Sequence, residues 1–135
     1  MKGAQLRIQL SEETVGRLDG IAGRLGGESR AFAALRLIEE GLQTEKHPLV
    51  YFTDGPAGRR ARLLGGPDVW EVISVVHGNN DDLQETAAYL EIPLNLVQAA
   101  SAYYEAYQQE IDDWIERNRR ETEEARLAAR EASVQ

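Results

Sequence analysis

The sequence predicts a mainly helical chain with short β elements, arranged as two small modules and a charged C-terminal helix. Three observations carry this prediction. One segment near the start alternates strictly, several capped segments repeat at helical spacing, and apolar residues give way to charge at the end. A length of 135 residues allows one ordinary domain or two very small ones.

The first element is expected at Gln5, Leu6, Arg7, Ile8, Gln9 and Leu10, whose period of two marks a half-buried strand. Ser11 follows as a helix cap, with Glu12 and Glu13 supplying favoured negative charge in the first turn. Val15, Leu18, Ile21 or Ala22, and Leu25 then repeat at helical spacing until Gly26-Gly27 ends the helix. Ser29 caps a second helix, on which Phe32, Leu35, Ile38 and Leu42 form one stripe. It is expected to stop near Gly41, with residues 44–48 as a linker.

In the second module, Leu49–Phe52 and Ala61–Leu64 flank Asp54-Gly55-Pro56-Ala57-Gly58, a hairpin with a long loop. Asp68 caps a helix carrying Val69, Trp70, Val72, Ile73 and Val76, and Gly78-Asn79-Asn80 breaks it. Asp82 starts a short helix through Ala87, Ala88 and Leu90. After the turn at Glu91-Ile92-Pro93, a longer helix carries Val97, Ala100, Ala102 and Tyr104. Residues 82–104 are thus shaped like a helix-turn-helix, with Ala88 at the crossing and Val97 buried. A last segment places Ile111, Trp114 and Ile115 on one face. Trp70 reads as a core residue; Trp114 reads equally as core or as partner surface. Beyond Asn118 the stripe fades, and the segment is expected to be frayed when free.

Composition limits the functions open to such a chain. There are no cysteines, which excludes disulfide staples and thiolate metal sites. No apolar run approaches the roughly 20 residues of a membrane span, and no signal-peptide core precedes the first element. A cytoplasmic location is expected. Net charge is −8, but it is unevenly placed: residues 1–47 are balanced, residues 48–68 carry +1 and residues 69–135 carry −9. The front tolerates DNA; the acidic back suits a different partner or plain solvent.

Enzyme chemistry finds no constellation here. His47 precedes Pro48 in a linker and His77 ends a helix. Asp81-Asp82 and Asp112-Asp113 are adjacent pairs whose side chains diverge. Gly65-Gly66 is a turn rather than a phosphate loop, and no nucleophile has a base at suitable spacing. No enzyme, metal or cofactor is expected.

One strand and two helices cannot close a core alone, because the strand keeps two open edges and so short a segment buries too little. Pairing the strand with its copy across a two-fold axis answers both problems. Leu6, Ile8 and Leu10 then face four helices, and Gln5, Arg7 and Gln9 point outward. A two-stranded ribbon fits the major groove, where arginine pairs with guanine and glutamine with adenine.

With these features in place, residues 4–43 resemble the ribbon-helix-helix family of repressors and antitoxins, including the CopG- and VapB-type antitoxins. The matching parts are Leu6 to Thr14, the Gly26-Gly27 turn, and Glu28-Ser29-Arg30 opening the second helix. The resemblance implies base reading by Gln5, Arg7 and Gln9, and a DNA phosphate held at the amides around Ser29 and Arg30. The physics of helix N-termini agrees. Lys2 is expected to touch the backbone from the arm.

Residues 48–115 are similar to a small domain of unknown function found in antitoxins beside PIN-like toxins. The carrying residues are Gly58–Ala61, Asp68–Val72, Ala88–Pro93 and Ala102-Tyr103-Tyr104 ahead of Glu110-Ile111. Together the resemblances imply domains at 1–44, 48–115 and 116–135: a dimeric ribbon-helix-helix, a winged-helix-like module and a charged helix or tail. They imply an antitoxin that represses its own operon and neutralises a PIN-like ribonuclease. Its partners would be operator DNA, the toxin and a second copy of itself, with no membrane. The alternative is a stand-alone repressor whose second module binds a ligand or is purely structural.

The second helix of the helix-turn-helix-like segment exposes Asn95, Gln98 and Ser101 but holds no basic residue, so it reads as scaffold. Arg59, Arg60 and Arg62 either make a wing contact or pair with Asp68 or Glu71. Toxin contact is expected from Trp114, Arg117, Arg119, Arg120 and Arg126, the arginines countering a carboxylate cluster by bidentate pairs. The other reading of this stretch is a solvated terminal helix.

Overall fold

A computed structural model describes residues 3–27 and 29–134, so expectations on Lys2 and Glu28 lie outside the described residues. The chain divides into two compact units, one through Leu42 and one from Gln43. Its architecture is mainly helical with one two-stranded antiparallel sheet.

The first unit contains α1 (Glu12–Arg24) and most of α2 (Arg30–Lys46). Ser11 starts α1 as expected, its Oγ accepting the Thr14 amide at 3.1 Å. Gly26 and Gly27 turn the chain with φ of 90° and 75°, values that disfavour any residue with a Cβ. Ser29 Oγ then accepts the Phe32 amide at 3.1 Å and opens α2. Among the described residues its buried apolar core is Leu18, Ala22 and Ala33.

Two expectations fail here. Residues 3–10 carry no regular hydrogen-bonded structure, so the first element is α1 and helices precede the strands. A strand exists only with a bonded neighbour, and the two strands that form pair with each other. Nor does α2 stop at Gly41. It runs to Lys46, because one interior glycine costs only about 1 kcal/mol against Ala while the residues around it favour helix.

The second unit opens with β1 (Val50–Gly55) and β2 (Gly58–Leu63). The expected long loop is short: Gly55 pairs with Gly58, leaving Pro56 and Ala57 between them. Gly58 has φ of 123°, which lets so tight a connection close. Then come α3 (Val69–Gly78), α4 (Leu83–Leu90), α5 (Leu94–Ala106) and α6 (Gln108–Val134). Asp82 Oδ1 accepts the Glu85 amide at 3.0 Å to start α4, and Glu91 ends it in the left-handed region at φ 55°.

The core of this unit joins Val50, Ala61 and Leu63 from the hairpin to Val69, Val72, Ile73 and Val76 of α3. Leu96, Val97, Ala100 and Tyr103 of α5 and Ile111 of α6 complete it. Ala87, not Ala88, is buried on α4, one position off the expected crossing. Trp70 packs against this core half-buried, and His47 stacks edge-on against Tyr103 with ring centroids 5.3 Å apart. The C-terminal stretch, open from its sequence between charged helix and tail, is helix to Val134. Ion pairs within the helix support it, among them Arg117–Glu121 at 3.3 Å and Arg119–Glu116 at 2.7 Å.

Candidate nucleic-acid interface

The apolar row of the alternating segment finds no cover in the first unit. Leu6, Ile8 and Leu10 are 79%, 60% and 43% exposed. Across from them lie Leu18 and Ile21 of α1 and Ala34, Leu35 and Ile38 of α2, enclosing an open groove of about 650 Å³. Phe32 and Leu42 are exposed on α2 as well. Large apolar side chains left open in this number mark an interaction surface. Gln5, Arg7 and Gln9, the polar row, are also exposed.

Of the two residues expected to hold phosphate, Ser29 is a helix cap and sits where amides lack partners within the helix. Arg30 has its guanidinium elsewhere. Its Nε donates to Asp19 Oδ1 at 2.8 Å and its Nη2 donates to Asp19 Oδ2 at 2.9 Å. The Arg30 hydrogen bond holds the Asp19 carboxyl below its usual range, and the same bond raises the Arg30 guanidinium. Sequence reasoning missed Asp19, since an acidic residue off the apolar stripe of α1 reads as solvated surface.

In the second unit the hairpin arginines belong to their own carboxylates. Arg59 Nη1 donates to Asp54 Oδ1 at 3.1 Å, and Arg60 Nε pairs with Asp68. Arg62 donates to the Gly66 carbonyl at 3.1 Å and stands 4.0 Å from Asp68. Asp68, only 5% exposed, also accepts the Trp70 indole N–H at 3.2 Å. Of the two readings of these arginines, pairing with Asp68 is the one seen within the unit. Asn95 and Gln98 are exposed on α5 and Ser101 is half-buried, while α4 and α5 carry no lysine or arginine.

The residues expected to meet a toxin do not gather at one place. Trp114 is half-buried and shares a pocket of about 270 Å³ with Trp70, Ala57, Arg60 and Asp68. Arg117 closes its edge: Nη1 donates to the Ala57 carbonyl at 2.8 Å, and the guanidinium lies 5.3 Å from the Trp114 ring centre. Further along, Arg119 is bidentate to Glu116, Arg120 stands 4.0 Å from Glu116, and Arg126 pairs with Glu123 at 2.7 Å. The Arg119 hydrogen bond holds the Glu116 carboxyl below its usual range. A second pocket of about 270 Å³ includes His77, Asp81 and Tyr104, whose hydroxyl donates to Asp112 at 2.8 Å. That bond to a carboxylate pushes the Tyr104 phenol up. Among the described residues no group of three or more His, Asp or Glu is placed to hold a metal ion.

No family model matches this chain, nor does any curated protein or solved structure. No helix among the described residues is long and apolar enough to cross a membrane.

Proposed function

We propose that this protein is a homodimeric DNA-binding antitoxin of ribbon-helix-helix type. In this reading it represses its own operon and neutralises a PIN-like ribonuclease. One observation carries the proposal: Leu6, Ile8 and Leu10 stand exposed over an apolar groove that their own chain leaves open. A second copy supplies what is missing. Strand pairing across a two-fold axis turns two unpaired segments into a ribbon, and the grooves close beneath it. The same alternation sends Gln5, Arg7 and Gln9 to the outer face, where they read base edges in the major groove. Ser29 and Arg30 at the start of α2 hold the flanking phosphate.

The toxin half of the proposal rests on α6. Its last turns, exposed and rich in paired charge, offer a partner a rod with arginines spaced along it. The competing reading, a stand-alone repressor with a structural second unit, is favoured by Arg117, whose guanidinium is engaged within the unit by the Ala57 carbonyl and Glu121.

Retardation of a fragment from the protein's own promoter tests the DNA half. Arg7→Ala combined with Gln9→Ala is expected to abolish specific retardation while sedimentation still reports a dimer. Unchanged retardation would move the reading surface off the ribbon. For the toxin half, the discriminating result is a stoichiometric partner, recovered from the native host, whose ribonuclease activity the chain suppresses. A chain ending at Asp113 that suppresses it equally well would remove α6 from the contact.

A further inference from the structure

We propose that Asp19 is an internal competitor for DNA phosphate, holding Arg30 in the free protein and limiting affinity. The inference rests on the ribbon-helix-helix reading above. Arg30 is the first residue of α2 and Asp19 lies in the second half of α1, so their pair bridges the two helices next to the expected phosphate. The geometry is bidentate, at 2.8 and 2.9 Å, and uses the Nε–Nη2 edge of the guanidinium. That edge offers the two parallel donors that a phosphate also takes. With a carboxylate already there, the charge is neutralised and the edge is filled. Both side chains remain open to solvent, Arg30 at 58% and Asp19 at 48%, so the pair is exchangeable rather than buried. An exposed pair holds weakly, so its loss costs the fold little, but while it stands Arg30 makes no phosphate contact.

Phosphate contacts act on any sequence, so a labelled duplex of mixed sequence serves as the probe. Asp19→Asn keeps the shape of the side chain and removes its charge. Asp19→Ser checks the result without an amide, and unchanged helical melting shows that each variant is folded. Binding is followed by fluorescence anisotropy between about 50 and 200 mM salt. Asp19→Asn is expected to tighten binding by roughly 2- to 30-fold, the span that two exposed pairs per dimer allow. The slope of log affinity against log salt should steepen by about two, near one for each freed guanidinium. In an Arg30→Ala background the same substitution should add nothing.

A gain that persists without Arg30 would make Asp19 a mere source of repulsive field and overturn the inference. Weaker binding by Asp19→Asn would also overturn it, since Asp19 would then orient Arg30 toward DNA. Failure of the unaltered dimer to bind any duplex at low salt is a different outcome: it removes the DNA reading, and this inference falls with it.

Discussion

Asp68 gathers several polar groups of the second unit, and its loss or misplacement has a specific route. Its carboxylate, almost wholly buried, meets Arg60, the Trp70 indole N–H and, at 4.0 Å, Arg62, while its own amide donates to Glu71 at 3.3 Å. Gly55 protects this arrangement from across the hairpin. A Cβ there would overlap Arg60 Nη1 and stand 3.2 Å from its Cζ. A free arginine would swing aside, but this one is held by Asp68. Gly55→Ala should therefore pull Arg60 off the carboxylate and leave a buried charge short of a partner, destabilising the unit by roughly 1–3 kcal/mol. Urea unfolding followed by the fluorescence of Trp70 and Trp114 measures this directly, because both indoles lie in that unit; an unshifted midpoint would refute it. The cap at Asp68 was legible from its place before an apolar helix, and pairing with a hairpin arginine was one of two open readings. The contact of Gly55 with Arg60 was not. It depends on the strand register, and the register depends on a two-residue connection where the sequence suggested five.

Elements ended where local chemistry ended them, except where neighbours overrode it. Ser11, Ser29 and Asp82 each accept the amide three residues on, and Gly26-Gly27 takes the positive φ that only glycine holds cheaply, so these boundaries were readable. Gly41 was read as a stop and is not one, since its neighbours continue the helix and it needs no unusual φ. The end of α6 was open between helix and tail, and it is helix to Val134. Its first turns hold the apolar face of Ile111, Trp114 and Ile115 that the spacing announced, but polar contacts made across long stretches of chain leave no such signal. Arg117 is the clearest case: it reaches 60 residues back along the chain, to the carbonyl of Ala57, while covering Trp114. We expect Arg117→Ala to free the hairpin tip from α6. Amide exchange should quicken in residues 55–58 and in the turns around Trp114, and tryptophan emission should shift to the red. The loss of stability should be small, about 1 kcal/mol or less, as one part-exposed hydrogen bond and one cation–π contact imply. Exchange unchanged at both places would mean that the contact holds nothing.

For the whole molecule, the two units differ in how fully they bury themselves. The second has a core drawn from hairpin and four helices; among the described residues the first buries one leucine and two alanines in its apolar core and has an open groove beneath Leu6, Ile8 and Leu10. The alternating segment told as much in advance, because a strand with no partner in its own module demands one from outside. What it left unsaid was that in a single chain residues 3–10 would form no strand. The difference in burial makes dilution informative. If a second copy completes the first unit, that unit's stability must depend on protein concentration while the other's does not. Helical circular dichroism reports both units, whereas tryptophan fluorescence reports only the second, since Trp70 and Trp114 are the chain's only indoles. On dilution through the dissociation range, the dichroism melt should split, its early part moving to lower temperature while the fluorescence melt stays in place. Ile8→Asn should give the split at every concentration, by setting an amide where the ribbon buries an aliphatic side chain. A single melt, insensitive to dilution and to Ile8→Asn in both signals, would mean that Leu6 to Leu10 closes nothing, and the ribbon would have no physical reason to form.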